Sequence, residues 1–263
     1  MNDELARWSR GLRRSSQLLG VAIFFFLYAP IALLVAYSFS GSRSLTFPIR
    51  SFTFSWYVSL ADNAELLHSI LNSLSVAAAV VPLTLILGVP AAYALSRFAF
   101  IGSGTVNHIF TLPLMIPGII TGLSILLLLK SLGIGLSLWA VVLGHTVAWL
   151  PVVVGQVAAR LRRMDRYVEE ASLDLGAGYA ETFLRVVLPN LKGAIIGSAL
   201  LVFTLSFDEV AITFLLTGTE NTLPMQIWAM LRRGVTPEIC AVATLTVVMS
   251  GILIAVGVRA DKD

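Results

Sequence analysis

Residues 160–178 read Arg160-Leu161-Arg162-Arg163-Met164-Asp165-Arg166-Tyr167-Val168-Glu169-Glu170-Ala171-Ser172-Leu173-Asp174-Leu175-Gly176-Ala177-Gly178, and the polar stretch runs on through Phe183 and Val187-Leu188-Pro189 to Lys192. On either side lie the almost wholly apolar runs 138–159 and 193–217. Lipid makes no demand for so long a charged segment between two greasy runs, so the segment folds for some other purpose.

Working outward, 57% of the 263 residues are hydrophobic and 13% are charged, against about 25% charged in ordinary soluble domains. The chain therefore lives in a bilayer. Crossing roughly 30 Å of hydrocarbon takes about 20 apolar residues as helix, and runs of that kind occupy 18–38, 67–95, 109–129, 138–159, 193–217 and 239–258. They are continuous and do not alternate with period two, which selects helices over barrel strands. The expected fold is an all-α integral membrane protein with six transmembrane helices.

Pro30, Pro82, Pro90, Pro117 and Pro151 fall in or beside these runs, and each marks an expected bend because proline removes a helical hydrogen bond. Gly118/Gly122 and Gly193/Gly197 are small residues four apart that would admit a close neighbour. Orientation comes from the basic residues. Thirteen of the eighteen Lys and Arg lie in the N-terminal tail, at Arg97, in 160–192 and in the C-terminal tail. Both termini and the 160–192 loop are therefore expected to be cytoplasmic. Topology thus accounts for the net charge of +3, and nothing in it points to nucleic acid.

The first apolar run is too long for the core of a signal peptide and is read as a retained anchor. Before it, Leu5, Trp8 and Leu12 have the spacing of a helix lying on the inner membrane surface. In the outer connections 39–66 and 218–237, Phe52, Phe54, Trp56, Tyr57 and Trp228 suit interface anchoring.

Chemistry within the chain is sparse. Cys240 is the single cysteine, so no intrachain disulfide forms, and His68, His108 and His145 stand apart with no ligand spacing around them. His145 is read as a helix-packing hydrogen bonder, and no serine motif is visible to make it a hydrolase base. No phosphate-cradling Gly-x4-Gly-Lys-Ser/Thr pattern occurs, so any nucleotide driving this protein is bound by another chain. Asp208 and Glu209 fall inside the fifth apolar run, where each unpaired acid costs about 2.5–3.5 kcal/mol. They are candidate residues of a water-lined path that attracts a cation; the alternatives are pairing with a partner's charge or helix dipole, or ion sites of a self-sufficient secondary transporter or channel.

In the loop itself, Val168, Ala171, Ser172 and Leu175 follow the i, i+3, i+4, i+7 pattern of one helix face, while Glu169, Glu170 and Asp174 face elsewhere. Gly176 and Gly178 are placed to end that helix in left-handed geometry. A second short helical segment through Phe183, Leu184 and Val187 leads to Pro189 in the first turn of the next span.

Glu170-Ala171-Ser172, three residues, Gly176 and then Leu188-Pro189 resemble the cytoplasmic Glu-Ala-Ala loop of the membrane subunits of binding-protein-dependent ABC importers. The likeness extends to Asn72-Ser73-Leu74, Ser96-Arg97-Phe98 and Leu114-Met115-Ile116-Pro117-Gly118. Phe203-Thr204-Leu205-Ser206-Phe207-Asp208-Glu209, Thr222-Leu223-Pro224 and Gly234-Val235-Thr236-Pro237-Glu238-Ile239 resemble the spermidine/putrescine permease branch. Ser172 departs from the motif's second alanine, and Gly193 stands where many members have a second proline.

The resemblance implies a type I ABC importer permease with no enzymatic activity of its own. Residues 1–17 and 259–263 would be cytoplasmic tails, and 18–258 the permease domain with coupling loop 160–192. Glu170, Ala171, Ser172, Gly176, Phe183, Leu188 and Pro189 would engage an ABC ATPase dimer that uses ATP and Mg. The remaining implied partners are a second homologous permease, a periplasmic or extracellular solute-binding protein and the lipids of a bacterial inner membrane. The implied solute is small, polar and polyamine-like.

Overall fold

The computed structural model describes residues 2–98 and 102–260. Among them the helices are α1 Asn2–Ser38, α2 Ser55–Ala61, α3 Ala64–Arg97, α4 Ser103–Met115, α5 Gly118–Ser131, α6 Leu138–Arg163, α7 Tyr167–Asp174, α8 Tyr179–Thr182, α9 Leu188–Asn190, α10 Lys192–Phe207, α11 Ala211–Leu216, α12 Leu223–Leu231 and α13 Pro237–Ala260. A π-helical turn, Phe183–Val187, joins α8 to α9. The single β feature among the described residues is an isolated bridge between Ser40 and Phe52. The side chains of Leu5, Trp8 and Leu12 and the end of the expected tail, 261–263, lie outside the described ones.

The six expected spans each meet an apolar helical segment, in three forms. Ser16–Ser38, Ala64–Arg97 and Leu138–Arg163 are single helices long enough to cross. The third and fifth spans are bent pairs: α4 and α5 meet at 107°, and Tyr179–Asn190 meets Lys192–Phe207 at 71°. The sixth is a shorter apolar helix, Pro237–Ile252.

Of the prolines expected to bend the chain, only Pro117 stands at a break. Helices continue through Pro30, Pro82, Pro90 and Pro151, which lipid-embedded helices tolerate where neighbours take up the freed carbonyl. The fifth span also departs from its expected 193–217 limits, since α10 stops at Phe207 and α11 begins only at Ala211.

The chain divides into two compact units, residues 1–62 with 230–247 and residues 63–229 with 248–263. In the first unit the connection after α1 is internally tied. Trp56 donates its indole N–H to the Ser40 carbonyl at 2.7 Å, and the Tyr57 and Ser38 hydroxyls pair at 2.7 Å. Phe39 packs against Phe54 and Tyr57, with ring centroids 5.2 and 5.3 Å away. Trp56 and Tyr57 therefore have partners inside the protein. In its most apolar window α1 has no buried residue.

The core of the second unit is the α3/α6 pair with α10 and α11 against it. Lipid tails are as apolar as leucine, so close packing rather than water exclusion holds such helices together. Val76, Val80, Val153, Val157 and Leu161 are buried there. A Cβ on Gly144 would come within 2.6 Å of Leu216 Cδ1, and one on Gly88 within 2.8 Å of Val153 Cγ1. The expected close approach at Gly122 is also present, its Cβ position lying 3.1 Å from Ile212 Cα. At Gly197 a Cβ would meet nothing within 4 Å among the described residues.

Candidate functional site

The loop between α6 and α10 is a folded module. Arg166 carries the chain out of α6, and α7 forms over two turns with Glu169 and Glu170 in its first turn, where carboxylates favour the positive end of a helix. It stops at Gly176, whose φ of +92° is the left-handed geometry glycine adopts without a Cβ penalty. Gly178 does not share that role. It is extended, at φ −77° and ψ 162°, and precedes the first residue of α8. The Ser172 and Thr182 hydroxyls lie 3.0 Å apart and tie α7 to α8, so serine in the Glu-Ala-Ala pattern supplies a bond that alanine lacks. Pro189 does not open the next span: it stands near the end of the helical stretch Tyr179–Asn190, before the 71° bend into Lys192–Phe207.

The apolar stripe of α7 is left open. Val168, Ala171, Ser172 and Leu175 line one side of a surface groove whose other side is formed from Glu181, Arg185 and neighbouring residues. Leu175 is 89% exposed. Glu170 is exposed as well.

Glu169 contradicts the expectation that it faces elsewhere with Glu170. It is 7% exposed. Its Oε1 accepts from Arg97 Nε at 2.9 Å and Nη2 at 2.6 Å, and its Oε2 accepts from the Tyr93 hydroxyl at 3.1 Å. Arg166 Nη2 donates to the Ser96 carbonyl at 3.2 Å. Phe183 packs on Tyr93 with centroids 5.0 Å apart. Neighbouring residues on a helix point about 100° apart, which lets Glu169 turn to Arg97 and Tyr93 while Glu170 stays exposed.

At the other candidate site the structure separates the two acids. Asp208 ends α10, its backbone N–H donating to the Thr204 carbonyl at 3.2 Å, and its side chain is exposed. Glu209 is half-buried and turned toward a helix start. Its Oε1 accepts the Ile212 N–H at 2.9 Å, satisfying one of the orphan donors of α11. A Cβ on Gly118, the first residue of α5, would lie 3.6 Å from that same oxygen. Glu209 is thus placed beside the starts of two helices, whose positive ends stabilise its charge. The break in the fifth span and the break at Pro117 lie side by side, and the carboxylate occupies the gap. Of the proposed pair, only Asp208 presents a side chain with no bonding partner among the described residues.

Below the break lies a residue that the sequence left isolated. His145 is fully buried, with Nδ1 2.9 Å from Ser206 Oγ and Nε2 3.0 Å from Thr213 Oγ1. Thr213 Oγ1 in turn donates to the Glu209 carbonyl at 3.0 Å. Because that donation uses the one threonine proton, His145 Nε2 carries the hydrogen and Nδ1 accepts from Ser206. A serine does therefore stand against His145, contrary to the sequence expectation. Ser206 is 4% exposed, and both imidazole nitrogens are taken by hydroxyls, so that His145 bridges α10 and α11, the two halves of the broken span.

Residues 84–261 match the family of binding-protein-dependent transport system inner membrane components. The chain is 39% identical over 241 residues to the putrescine transport system permease protein PotI of Escherichia coli K12, covering 88% of this chain and 84% of that one. It is 35% identical over 245 residues to the spermidine/putrescine transport system permease protein PotC of the same strain, covering 92% of each. Among solved structures, a bacterial ABC transporter that imports the acidic polysaccharide alginate matches with TM-score 0.74 at 19% identity, over 93% of this chain and 94% of that one. The MetNI methionine ABC transporter in an inward-facing conformation matches with TM-score 0.66 at 19% identity, over 75% and 95% of the two chains. An all-helical chain with broken third and fifth spans and a folded inner-face loop, so matched, belongs to the family of inner membrane permease subunits of binding-protein-dependent ABC importers.

Proposed function

We propose that this permease forms, with a second homologous permease, the alternating-access path for a small cationic polyamine-like solute across a bacterial inner membrane. Its inward and outward states are biased from one side by an ABC ATPase dimer that uses ATP and Mg, and from the other by a loaded solute-binding protein. The observation that carries this reading is the open face of α7, where Glu170 and Leu175 are exposed beside an unfilled groove on a module otherwise fastened to the chain.

In that reading Glu170 and the Ala171 to Ser172 step meet the ATPase. Gly176 sets the angle between α7 and α8, and Phe183, Leu188 and Pro189 carry the module into α10. The unburied α1 gives the partner permease a surface. Asp208 attracts the cation, a role supported by its exposure at the helix break and by the likeness to PotI and PotC. Glu209 shapes the same site as a helix cap.

The test is reconstitution of the complex in proteoliposomes with a binding protein and labelled putrescine. ATP-dependent uptake that vanishes without the ATPase supports the proposal. Uptake by the permease chains alone, driven by an ion gradient, refutes it.

A further inference from the structure

α3 has no covalent link to the inner-face loop, which is continuous with α6 and α10. It is nevertheless the helix to which the loop is tied, by Arg97 and Tyr93 on Glu169, by the Arg166 to Ser96 hydrogen bond, and by ring contacts of Tyr93 with Phe183 and Phe98 with Tyr179. Arg97 and Glu169 side chains are each 9% exposed. One face of α7 is thus filled by α3 and another is vacant.

The far end of α3 is tied as well. Asn72 Nδ2 donates to the Asn221 carbonyl at 2.9 Å, and Ser73 Oγ accepts the Leu223 N–H at 2.8 Å. Asn221 lies in the connection between α11 and α12, and Leu223 is the first residue of α12. Between these ends α3 is one helix of 34 residues, roughly 50 Å long at 1.5 Å per residue.

We propose that α3 is the rod joining the two faces of the protein. Glu169 is the positioning residue that fastens it to the inner module, and Asn72 and Ser73 fasten it to the outer loop. Movement of α7 is delivered to residues 221–223 through α3, and contact at the outer loop returns along the same helix, since coupling between two sites is reciprocal. Spatial continuity alone does not establish such a path, so the test reads coupling directly. The proposal rests on the importer reading above.

The experiment measures ATP hydrolysis by the whole reconstituted complex with and without putrescine-loaded binding protein. Glu169→Ala is expected to lower the stimulated-to-basal ratio about fivefold or more, the low end of ordinary coupling between sites, while the ATPase still copurifies. Ser73→Ala lowers the same ratio. The two together do no worse than the stronger one, because both cut a single path. The exchange of Arg97→Glu with Glu169→Arg restores the ratio.

An unchanged ratio in assembled Glu169→Ala, loss of ATPase copurification in that variant alone, or independent multiplication of the two effects overturns the rod. If Glu169→Ala does not assemble, the charge exchange decides, and if neither assembles, Ser73→Ala decides by its ratio. A wild-type complex that the loaded binding protein fails to stimulate defeats the importer reading itself, which separates the two failures.

Discussion

His145 Nδ1 and Ser206 Oγ are 2.9 Å apart, the spacing of a nucleophile and its base, yet both residues are buried. The pair instead closes one end of a bond chain that runs through Thr213 to the Glu209 carbonyl. Its work is to satisfy groups that a broken helix leaves open within the bilayer.

Removing the imidazole loses two bonds and strands the buried Ser206 hydroxyl, while Thr213 keeps the Glu209 carbonyl; removing the Ser206 hydroxyl loses one bond. His145→Leu is expected to destabilise the protein by about 1–3 kcal/mol, and Ser206→Ala by about 0.6 kcal/mol, the average for hydrogen bonds between membrane helices. Thermal unfolding in detergent measures both. Ser206 is expected to resist labelling by a fluorophosphonate, and labelling would reopen a hydrolase role.

Asp208 and Glu209 are expected to respond differently to neutralisation. Asp208→Asn lowers putrescine uptake at unchanged assembly. Glu209→Gln keeps an oxygen for the Ile212 N–H and stays close to wild type, while Glu209→Ala loses the cap and costs about 0.5–2 kcal/mol. Uptake and unfolding measured on the same preparations separate a role in the path from a role in the helix start. Equal uptake defects in Asp208→Asn and Glu209→Gln would place both carboxylates on the path.

The difference between those two acids shows where sequence reading stops. Apolar length placed six helical segments, because lipid thickness sets it without reference to neighbours. Gly176 was legible because glycine, with no Cβ, takes the left-handed angle that ends α7, whereas Pro189 precedes the bend it was expected to follow. Glu209 was not, since its partner is the start of a helix that exists only because the span is broken. Glu169 pairs with Arg97, seventy-two positions away in sequence, and no local pattern connects them.

Gly176 has open space around it, so only its backbone angle restricts substitution. At φ +92°, Gly176→Asn is expected to be tolerated and Gly176→Val to cost about 1–2 kcal/mol, much of it felt as a misdirected α8. Copurification of the ATPase with each variant measures the effect, and a fully coupled Gly176→Val complex would contradict it.

Glu170 and Leu175 can be altered without disturbing anything they touch in this chain. Glu170→Lys and Leu175→Asp are each expected to weaken ATPase binding about tenfold or more, 1.4 kcal/mol, with the unfolding temperature unchanged. A titration of detergent-solubilised permease with purified ATPase supplies the measurement. Equal affinity in both variants would move the docking surface away from α7.

Gly144 lacks such freedom. Its Cβ would press on Leu216 and Ile212 at 2.6 and 2.8 Å, and Gly144→Ala is expected to cost about 1–3 kcal/mol of overpacking, read as lowered thermal stability.

The wider turn at Phe183–Val187 means that this stretch holds one residue more than an α-helix of the same rise. Deleting one of the five would let the turn close to an ordinary α-helical one of the same rise, keeping the buried Leu191 and Val202 in register. Inserting a residue has no such outlet and would turn every later side chain by about 100°, so the stretch between Gly176 and Pro189 can lose one residue but not gain one.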